Sequence, residues 1–193
     1  MRKSIIAILM TFCLSIMTYA QTPRDRATEL KEQAQSSLNQ KDYIKARYLF
    51  KKAYEAFATR ENYPQAIECG VQANALYVRE NFYKEGFELC RDMDQLIWAG
   101  EQNQKKVFYD LRFLVNKERL QMYTALKNPA QAKTQLNKLE ETANLAKNDS
   151  LTEVLLYTKA NYYYTFNQNT QGDACFRKLI NQYKEKKDYA KVS

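Results

Sequence analysis

The sequence predicts an all-α fold in which helices follow one another in packed pairs. Only four glycines and three prolines occur among 193 residues, so helix breakers are few. Apolar residues recur three and four positions apart, which is the period of one helix face, and long strand-like alternations are absent. A pattern led by a small residue, first seen at Ala46, Phe50 and Ala53, also returns with the same spacing of four and three residues. Its leading small residues are Ala46, Gly86, Ala132 and Gly172, at intervals of 40, 46 and 40 residues.

The first 20 residues have the organisation of a secretory signal peptide. A basic start, MRK, precedes the apolar run SIIAILMTFCLSIM, and TYA places small residues just before Gln21. The apolar run is shorter than the roughly 20 residues that a membrane span needs. We therefore expect cleavage after Ala20, export to the periplasm of a Gram-negative envelope, and a helical domain over residues 21–193. The alternative is an uncleaved N-terminal anchor.

Four helix pairs are predicted in the exported part. The units cover about residues 23–58, 62–99, 102–147 and 150–185. Their helices are predicted at 23–39 and 42–58, 62–80 and 83–99, 102–126 and 129–147, and 150–167 and 170–185. Each pair is too small to bury its own apolar face, so neighbouring pairs must stack on one another.

Units one and two are justified by start signals and by small residues. TPRD, at residues 22–25, combines a cap residue with a proline at the first helical position, and QKD separates the two helices of unit one. Ala34 and Ala46 then face each other across this hairpin. In unit two, Gly86 leads the small-large pattern, and Trp98 is interpreted as a contact between repeats that closes the second helix.

Units three and four have clearer boundaries. Asn128 followed by Pro129 is typical of a helix start, and it opens the second helix of unit three. Ser150 with Glu153 forms a capping box that opens the first helix of unit four. Thr170 begins the last helix in the same way.

Charge and composition exclude several classes of function. The formal charge is +8, and loss of Arg2 and Lys3 with the signal peptide lowers it to +6. Acidic and basic residues are interleaved, as on solvated helices, so nucleic acid is not an expected partner. The chain contains no histidine, no CxxC pair and no glycine-rich phosphate loop. We therefore predict no catalytic residues, no metal site and no cofactor, and we expect the protein not to be an enzyme.

The repeat resembles that of tetratricopeptide-repeat proteins, which alternate small residues with one aromatic residue in each helix pair. Unit one matches all four positions of the family's pattern with Ala34, Ala46, Phe50 and Ala53. Unit four resembles the pattern through Ala160, Tyr163, Gly172 and Phe176. In units two and three, Asn74 and Leu120 stand where the family has a small residue. The periods exceed the family's roughly 34 residues, which implies longer helices. The resemblance implies a right-handed α-solenoid.

The resemblance also implies where a ligand binds. In this family the first helices of the pairs line a concave groove, which here gives the candidates Lys31, Gln35, Asn39, Val71, Ala75, Arg79, Lys117, Gln121, Thr124, Tyr157, Asn161 and Tyr164. This polar, mildly basic and partly aromatic set suits an extended peptide; an ordinary solvated surface is the alternative. The family's carboxylate clamp is not expected, because Gln35 replaces its first asparagine and Leu114 and Glu118 stand where cations belong.

Cys69 and Cys90 are predicted on facing helices of unit two. In an oxidising periplasm a disulfide between them is one interpretation. Two buried free thiols are the other, because packing alone explains small residues at these positions.

The function implied by the resemblance is recognition of a protein or peptide. A signal peptide, long irregular repeats and the lack of a polar capping helix after KEKKDYAKVS resemble the periplasmic sensor region of repeat-containing membrane regulators. In those proteins a membrane span leads to a histidine kinase or DNA-binding output. We therefore expect the chain to continue beyond residue 193, to meet the membrane only through that later segment, and to leave any kinase activity outside this stretch.

The alternative is a stand-alone periplasmic scaffold or adaptor in an envelope assembly. A nutrient-binding module of the outer membrane would need long insertions between helices, which are lacking. Neither the ligand nor the oligomeric state is predicted.

Overall fold

The computed structural model describes residues 25–185, which form eight α-helices and no strand. Residues 1–24, which include the predicted signal peptide and Pro23, and residues 186–193 lie outside the described residues. The helices are α1 (Arg26–Asn39), α2 (Tyr43–Ala58), α3 (Tyr63–Arg79), α4 (Tyr83–Gln104), α5 (Tyr109–Ala125), α6 (Pro129–Ala146), α7 (Asp149–Thr165) and α8 (Asn169–Glu185). The all-α prediction is confirmed for this part of the chain.

Asparagine and aspartate side chains begin five of these helices. Each accepts a hydrogen bond from a backbone amide of the first turn, which would otherwise have no partner. The five residues are Asp25, Asp42, Asn62, Asn128 and Asn148. Two predicted caps are wrong. Asn148 replaces Ser150 in α7, where it accepts from the Ser150 amide at 3.0 Å, and α8 begins at Asn169, so Thr170 lies inside its first turn. The predicted cap Thr22 lies outside the described residues, and Asp25 caps α1.

Each of the seven connections contains one non-glycine residue with positive φ. These residues are Lys41, Glu61, Asn81, Lys105, Lys127, Lys147 and Asn167, with φ between 49° and 63°. At six of the connections the next amide donates to a carbonyl oxygen five residues earlier, as Asp42 does to Ser37 at 2.9 Å. This left-handed ending satisfies the last carbonyl groups and turns the chain within a few residues.

Consecutive helices pack against each other along the whole described chain. In addition, α3 contacts α5, and α5 contacts α7, so alternate helices meet in the middle of the chain. Ala34, Ala46 and Ala53 are fully buried and Phe50 is buried beside them, as the repeat predicts. The result is a helical repeat-like arrangement.

Helix α5 contributes to two apolar clusters. Leu111 and Val115 belong to the cluster formed with α1 to α4. Phe113 and Leu120 belong to the cluster formed with α6 and α7. Since one helix is shared between the two clusters, its position affects the packing on both sides.

The boundary between α4 and α5 differs from the prediction. Helix α4 continues to Gln104 instead of ending near 99, and α5 begins at Tyr109 rather than 102. Gly100 lies inside α4, where its missing side chain leaves room for the rings of Tyr63 and Phe108. Glu101 then accepts a hydrogen bond from the Phe108 amide at 2.8 Å, which ties the connection to the end of α4.

The environment of Trp98 also differs from the predicted contact between repeats. Its side chain is 63% exposed. The inner face of α4 is filled instead by Leu89, Met93 and Ile97, which are buried. Trp98 follows Ile97 directly, and adjacent residues of a helix point about 100° apart, so it turns away from the core.

Candidate functional site

A cleft of about 390 Å³ opens between α5 and α7, and we call it the α5/α7 cleft. Its polar lining consists of Lys117, Gln121, Thr124, Lys127, Thr158, Asn161 and Thr165. Its apolar lining consists of Leu120, Ala125, Val154, Tyr157 and Tyr162. Two lysines and no acidic residue line it, so the cleft presents positive charge together with amide and hydroxyl groups.

Helical spacing explains how these side chains come together. Lys117, Gln121 and Thr124 follow one another on α5 at intervals of four and three, which places them on one face. Tyr157 and Asn161 do the same on α7 at an interval of four. The two faces meet because α5 and α7 contact each other directly.

The floor of the cleft is apolar and one wall is aromatic. Leu120 and Tyr162 are buried below the polar groups. Tyr157 is 54% exposed, and its ring stands edge-on to Phe176 with 6.0 Å between centroids. A half-exposed ring with one side supported in this way offers its other side to a ligand.

Five of the predicted groove residues line the α5/α7 cleft, namely Lys117, Gln121, Thr124, Tyr157 and Asn161. They come from the first helices of units three and four. The cleft lies where the alternate helices α5 and α7 approach each other.

The remaining polar candidates have partners within the fold. Lys31 donates to Gln65 Oε1 at 2.8 Å and pairs with Glu68 at 2.8 Å. The Gln35 amide donates to Asn39 one turn later at 3.1 Å.

Two further candidates, Arg79 and Tyr164, make aromatic contacts within the fold. The Arg79 guanidinium lies 4.0 Å from the centroid of the Tyr43 ring. Tyr164 donates a hydrogen bond to Asp173 and stacks on Phe176 with 5.9 Å between centroids. Arg79 and Tyr164 therefore contribute to packing at the places where the structure has them.

A buried polar pair lies beside the cleft and was not predicted. Asn74 Nδ2 donates to Glu118 Oε2 at 3.1 Å, and the two side chains are 0% and 2% exposed. Burial raises the pKa of Glu118, while the Asn74 hydrogen bond and nearby Lys117 oppose the rise. Lys117 Nζ lies 3.8 Å from Glu118 Oε1. Two signals were available in the sequence: Asn74 is polar where the repeat has a small residue, and Glu118 is acidic where the carboxylate clamp has a cation.

A second concavity, of about 410 Å³, lies between α4 and α6 above α5. Trp98 and the half-exposed Leu145 are among its lining residues. Its two arginines are already paired: Arg119 donates to Asp94 at 2.6 Å, and Arg112 donates to Glu101. Burial alone would raise the pKa of Glu101, but hydrogen bonds from Arg112 and the Phe108 amide outweigh it and lower that pKa. We call this the outer concavity.

Cys69 and Cys90 are free, buried thiols. The structure therefore contains two thiols at these positions and no disulfide between them. Burial raises the pKa of Cys69 to about 11 and that of Cys90 to about 12, which keeps both groups protonated near neutral pH. Their surroundings also differ, since Lys31 is near Cys69 and Arg119 is near Cys90.

Two searches of residues 25–185 gave negative findings. No group of three or more histidine, cysteine, aspartate or glutamate side chains is arranged to hold a metal ion in this range. None of the helices in the same range combines the length and the apolar character that crossing a membrane requires.

Comparisons of the chain with protein-family models, with curated proteins and with solved structures found no match.

Proposed function

We propose that this protein is an exported peptide-binding module, in which tetratricopeptide-like helix pairs form a right-handed solenoid. The ligand is an extended segment of a protein, held in the α5/α7 cleft without chemical turnover. The observation that carries the proposal is the meeting of Lys117, Gln121, Tyr157 and Asn161 in one cleft. These residues come from two helices that are not neighbours in sequence.

The lining of the cleft suits an extended backbone. Gln121 and Asn161 each offer an amide that can donate and accept, which matches the alternating N–H and C=O groups of a peptide. Tyr157 supplies an aromatic surface for a side chain. Because Lys117 and Lys127 line the cleft without any acid, a peptide that carries carboxylates is favoured over a basic one.

The role in the cell is proposed from the sequence. The N-terminal 20 residues support export, and the resemblance supports a ligand-sensing region at the N-terminal end of a membrane signal transducer. The ligand would then be a periplasmic protein or peptide whose binding is reported to an output domain encoded further along the chain.

A second candidate function is a stand-alone scaffold or adaptor. It is favoured by the outer concavity, where exposed Trp98 and Leu145 offer an apolar surface on other helices than the cleft. A scaffold needs two surfaces for two partners, whereas a sensor needs one for its ligand. A scaffold would bind one ligand in the α5/α7 cleft and another in the outer concavity at the same time. A competition experiment with ligands of the two surfaces would therefore distinguish these functions.

Peptide selection tests the proposal. Phage-displayed peptides are selected on the purified chain, and the affinity of the best peptide is measured by fluorescence anisotropy. Gln121→Ala and Asn161→Ala should each weaken binding by about threefold to tenfold, the value of one lost hydrogen bond. Gln102→Ala, at an exposed position of α4, is the matched control and should bind like the unsubstituted chain. Equal affinity in all four proteins would contradict binding in the α5/α7 cleft.

A further inference from the structure

One ammonium group lies within reach of both the α5/α7 cleft and a buried carboxyl group. Lys117 lines the cleft, and its side chain is 23% exposed. Its Nζ lies 3.8 Å from Oε1 of Glu118, the next residue of α5, which is buried. A ligand that pairs with Lys117 therefore changes the electrostatic environment of Glu118 without contacting that residue.

The other groups that face Glu118 add no second cation among the described residues. From α3 the neutral amide of Asn74 donates to Oε2. From α4 the Cys90 thiol faces Glu118, and burial raises the pKa of that thiol to about 12, so it carries no charge. Arg119, on α5, donates instead to the Cys90 carbonyl oxygen at 2.9 Å and to Asp94. Lys117 is thus the counter-ion available to an ionised Glu118.

An unpartnered oxygen indicates what a proton on Glu118 contributes. Asn74 Oδ1 is buried and accepts no hydrogen bond. A neutral carboxyl group and a primary amide can form two hydrogen bonds, one from the amide N–H to the acid and one from the acid O–H to the amide oxygen. Protonation of Glu118 adds an O–H donor next to the amide of Asn74, whose Oδ1 lacks one. Burial acts in the same direction, because it disfavours the ionised form of a carboxyl group.

We propose that occupation of the α5/α7 cleft is coupled to proton uptake by Glu118, with Lys117 as the shared group. This inference rests on the proposed peptide-binding function. A ligand carboxylate that pairs with Lys117 draws the ammonium away from Glu118, and the carboxylate of Glu118 takes a proton from solvent in compensation. Ligand affinity then falls as the pH rises through the titration of Glu118. For one linked proton the fall is at most about tenfold per pH unit.

An NMR titration tests the coupling before any ligand is known. The side-chain carboxyl carbon of Glu118 is assigned by its loss in Glu118→Gln, and its chemical shift is followed against pH in the purified chain. Lys117→Met removes the ammonium and keeps an apolar stem, so the Glu118 midpoint should move to higher pH. Lys127→Met, a second lysine of the same cleft, is the matched control and should leave the midpoint in place. A midpoint that does not move in Lys117→Met overturns the proposal.

Calorimetry with the selected peptide tests the linkage itself. Binding heats in phosphate and Tris buffers at one pH differ by the protons exchanged, because the two buffers have different ionisation enthalpies. We expect net proton uptake with the unsubstituted chain and its loss in Glu118→Gln, which keeps the shape of the side chain and should still bind the peptide. Uptake that persists in Glu118→Gln overturns the assignment to Glu118. If no peptide binds, the proposed function fails, whereas the NMR titration still decides whether Lys117 and Glu118 are coupled.

Discussion

The side-chain amide of Asn74 donates a 3.1 Å hydrogen bond to Glu118 and joins α3 to α5 inside the molecule. Each residue departs from the tetratricopeptide pattern that the sequence resembles, since that repeat has a small residue at the first position and its carboxylate clamp has a cation at the second. The departures compensate each other, because each supplies a buried partner to the other. Gly86 provides the room, as a Cβ there would lie 3.0 Å from Asn74 Oδ1.

Replacing one member of this pair should lower the unfolding free energy more than replacing both members. Asn74→Leu leaves the carboxyl group of Glu118 buried without its amide donor, and we expect a loss of about 2–3 kcal/mol in unfolding free energy. Adding Glu118→Met replaces the polar pair by apolar side chains of similar size and should restore most of that loss. Urea denaturation of both single variants and the double variant measures the interaction. Losses that simply add would show that the two residues do not stabilise each other.

The raised pKa of Glu118 predicts a pH dependence of stability. The fold prefers the neutral acid, so this contribution is complete below the ordinary value of 4.5 and is lost as the pH rises through the folded-state pKa. Glu118→Gln cannot ionise, and its stability relative to the unsubstituted chain should therefore increase from acidic to mildly alkaline pH. Urea denaturation across this range measures the change. The exposed substitution Glu88→Gln is the control, and the same trend in both variants would contradict the assignment to Glu118.

Gly100 is expected to tolerate no side chain, although alanine is the better helix former. A Cβ would lie 2.8 Å from the Phe108 ring and 3.0 Å from the Tyr63 ring, and neither ring is the flexible end of a side chain. Overpacking should cost about 2–3 kcal/mol, which exceeds the roughly 1 kcal/mol gained in helix propensity, so we expect Gly100→Ala to lower the unfolding free energy by about 1–2 kcal/mol. Thermal denaturation followed by circular dichroism measures this. A stabilised variant would mean that α4 ends before Gly100, as the sequence predicts.

The connections should depend on left-handed backbone at residues such as Lys41. Its φ is 63°, which a β-branched residue adopts only at a cost. Lys41→Val should therefore lose about 1–2 kcal/mol, whereas Lys41→Gly should keep or exceed the stability of the unsubstituted chain. Gln40→Val, at the preceding residue with φ of −78°, is the matched control. Chemical denaturation compares the three, and a Lys41→Val variant as stable as Lys41→Gly would exclude the left-handed conformation.

The helices could be predicted because their signals are local. Pro129 and Asp42 mark starts within a single turn, and the spacing of Ala46, Phe50 and Ala53 needs only the helical period. The start of α5 could not be predicted in this way. The end of α4 and the start of α5 depend on the contact of Gly100 with Tyr63, far away in sequence, and on the hydrogen bond between Glu101 and the Phe108 amide, which no local pattern shows.

The candidate site could likewise be predicted only where its residues lie on one helix. Lys117 and Gln121 could be grouped from spacing, since neighbours on one helix face stay together in any packing. The pairing of Lys31 with Glu68, and that of Tyr164 with Asp173, depends on which helices meet. Glu118 was missed because an acid on a helix usually faces solvent, and only the packing of α3 against α5 buries it.

The most direct test of the peptide-binding account is a map of backbone amide chemical shifts on titration with the selected peptide. The account predicts changes concentrated on α5 and α7, with Gln121 and Asn161 among the most affected residues. Changes confined to α4 and α6 around Trp98, or no changes at all, would contradict binding in the α5/α7 cleft.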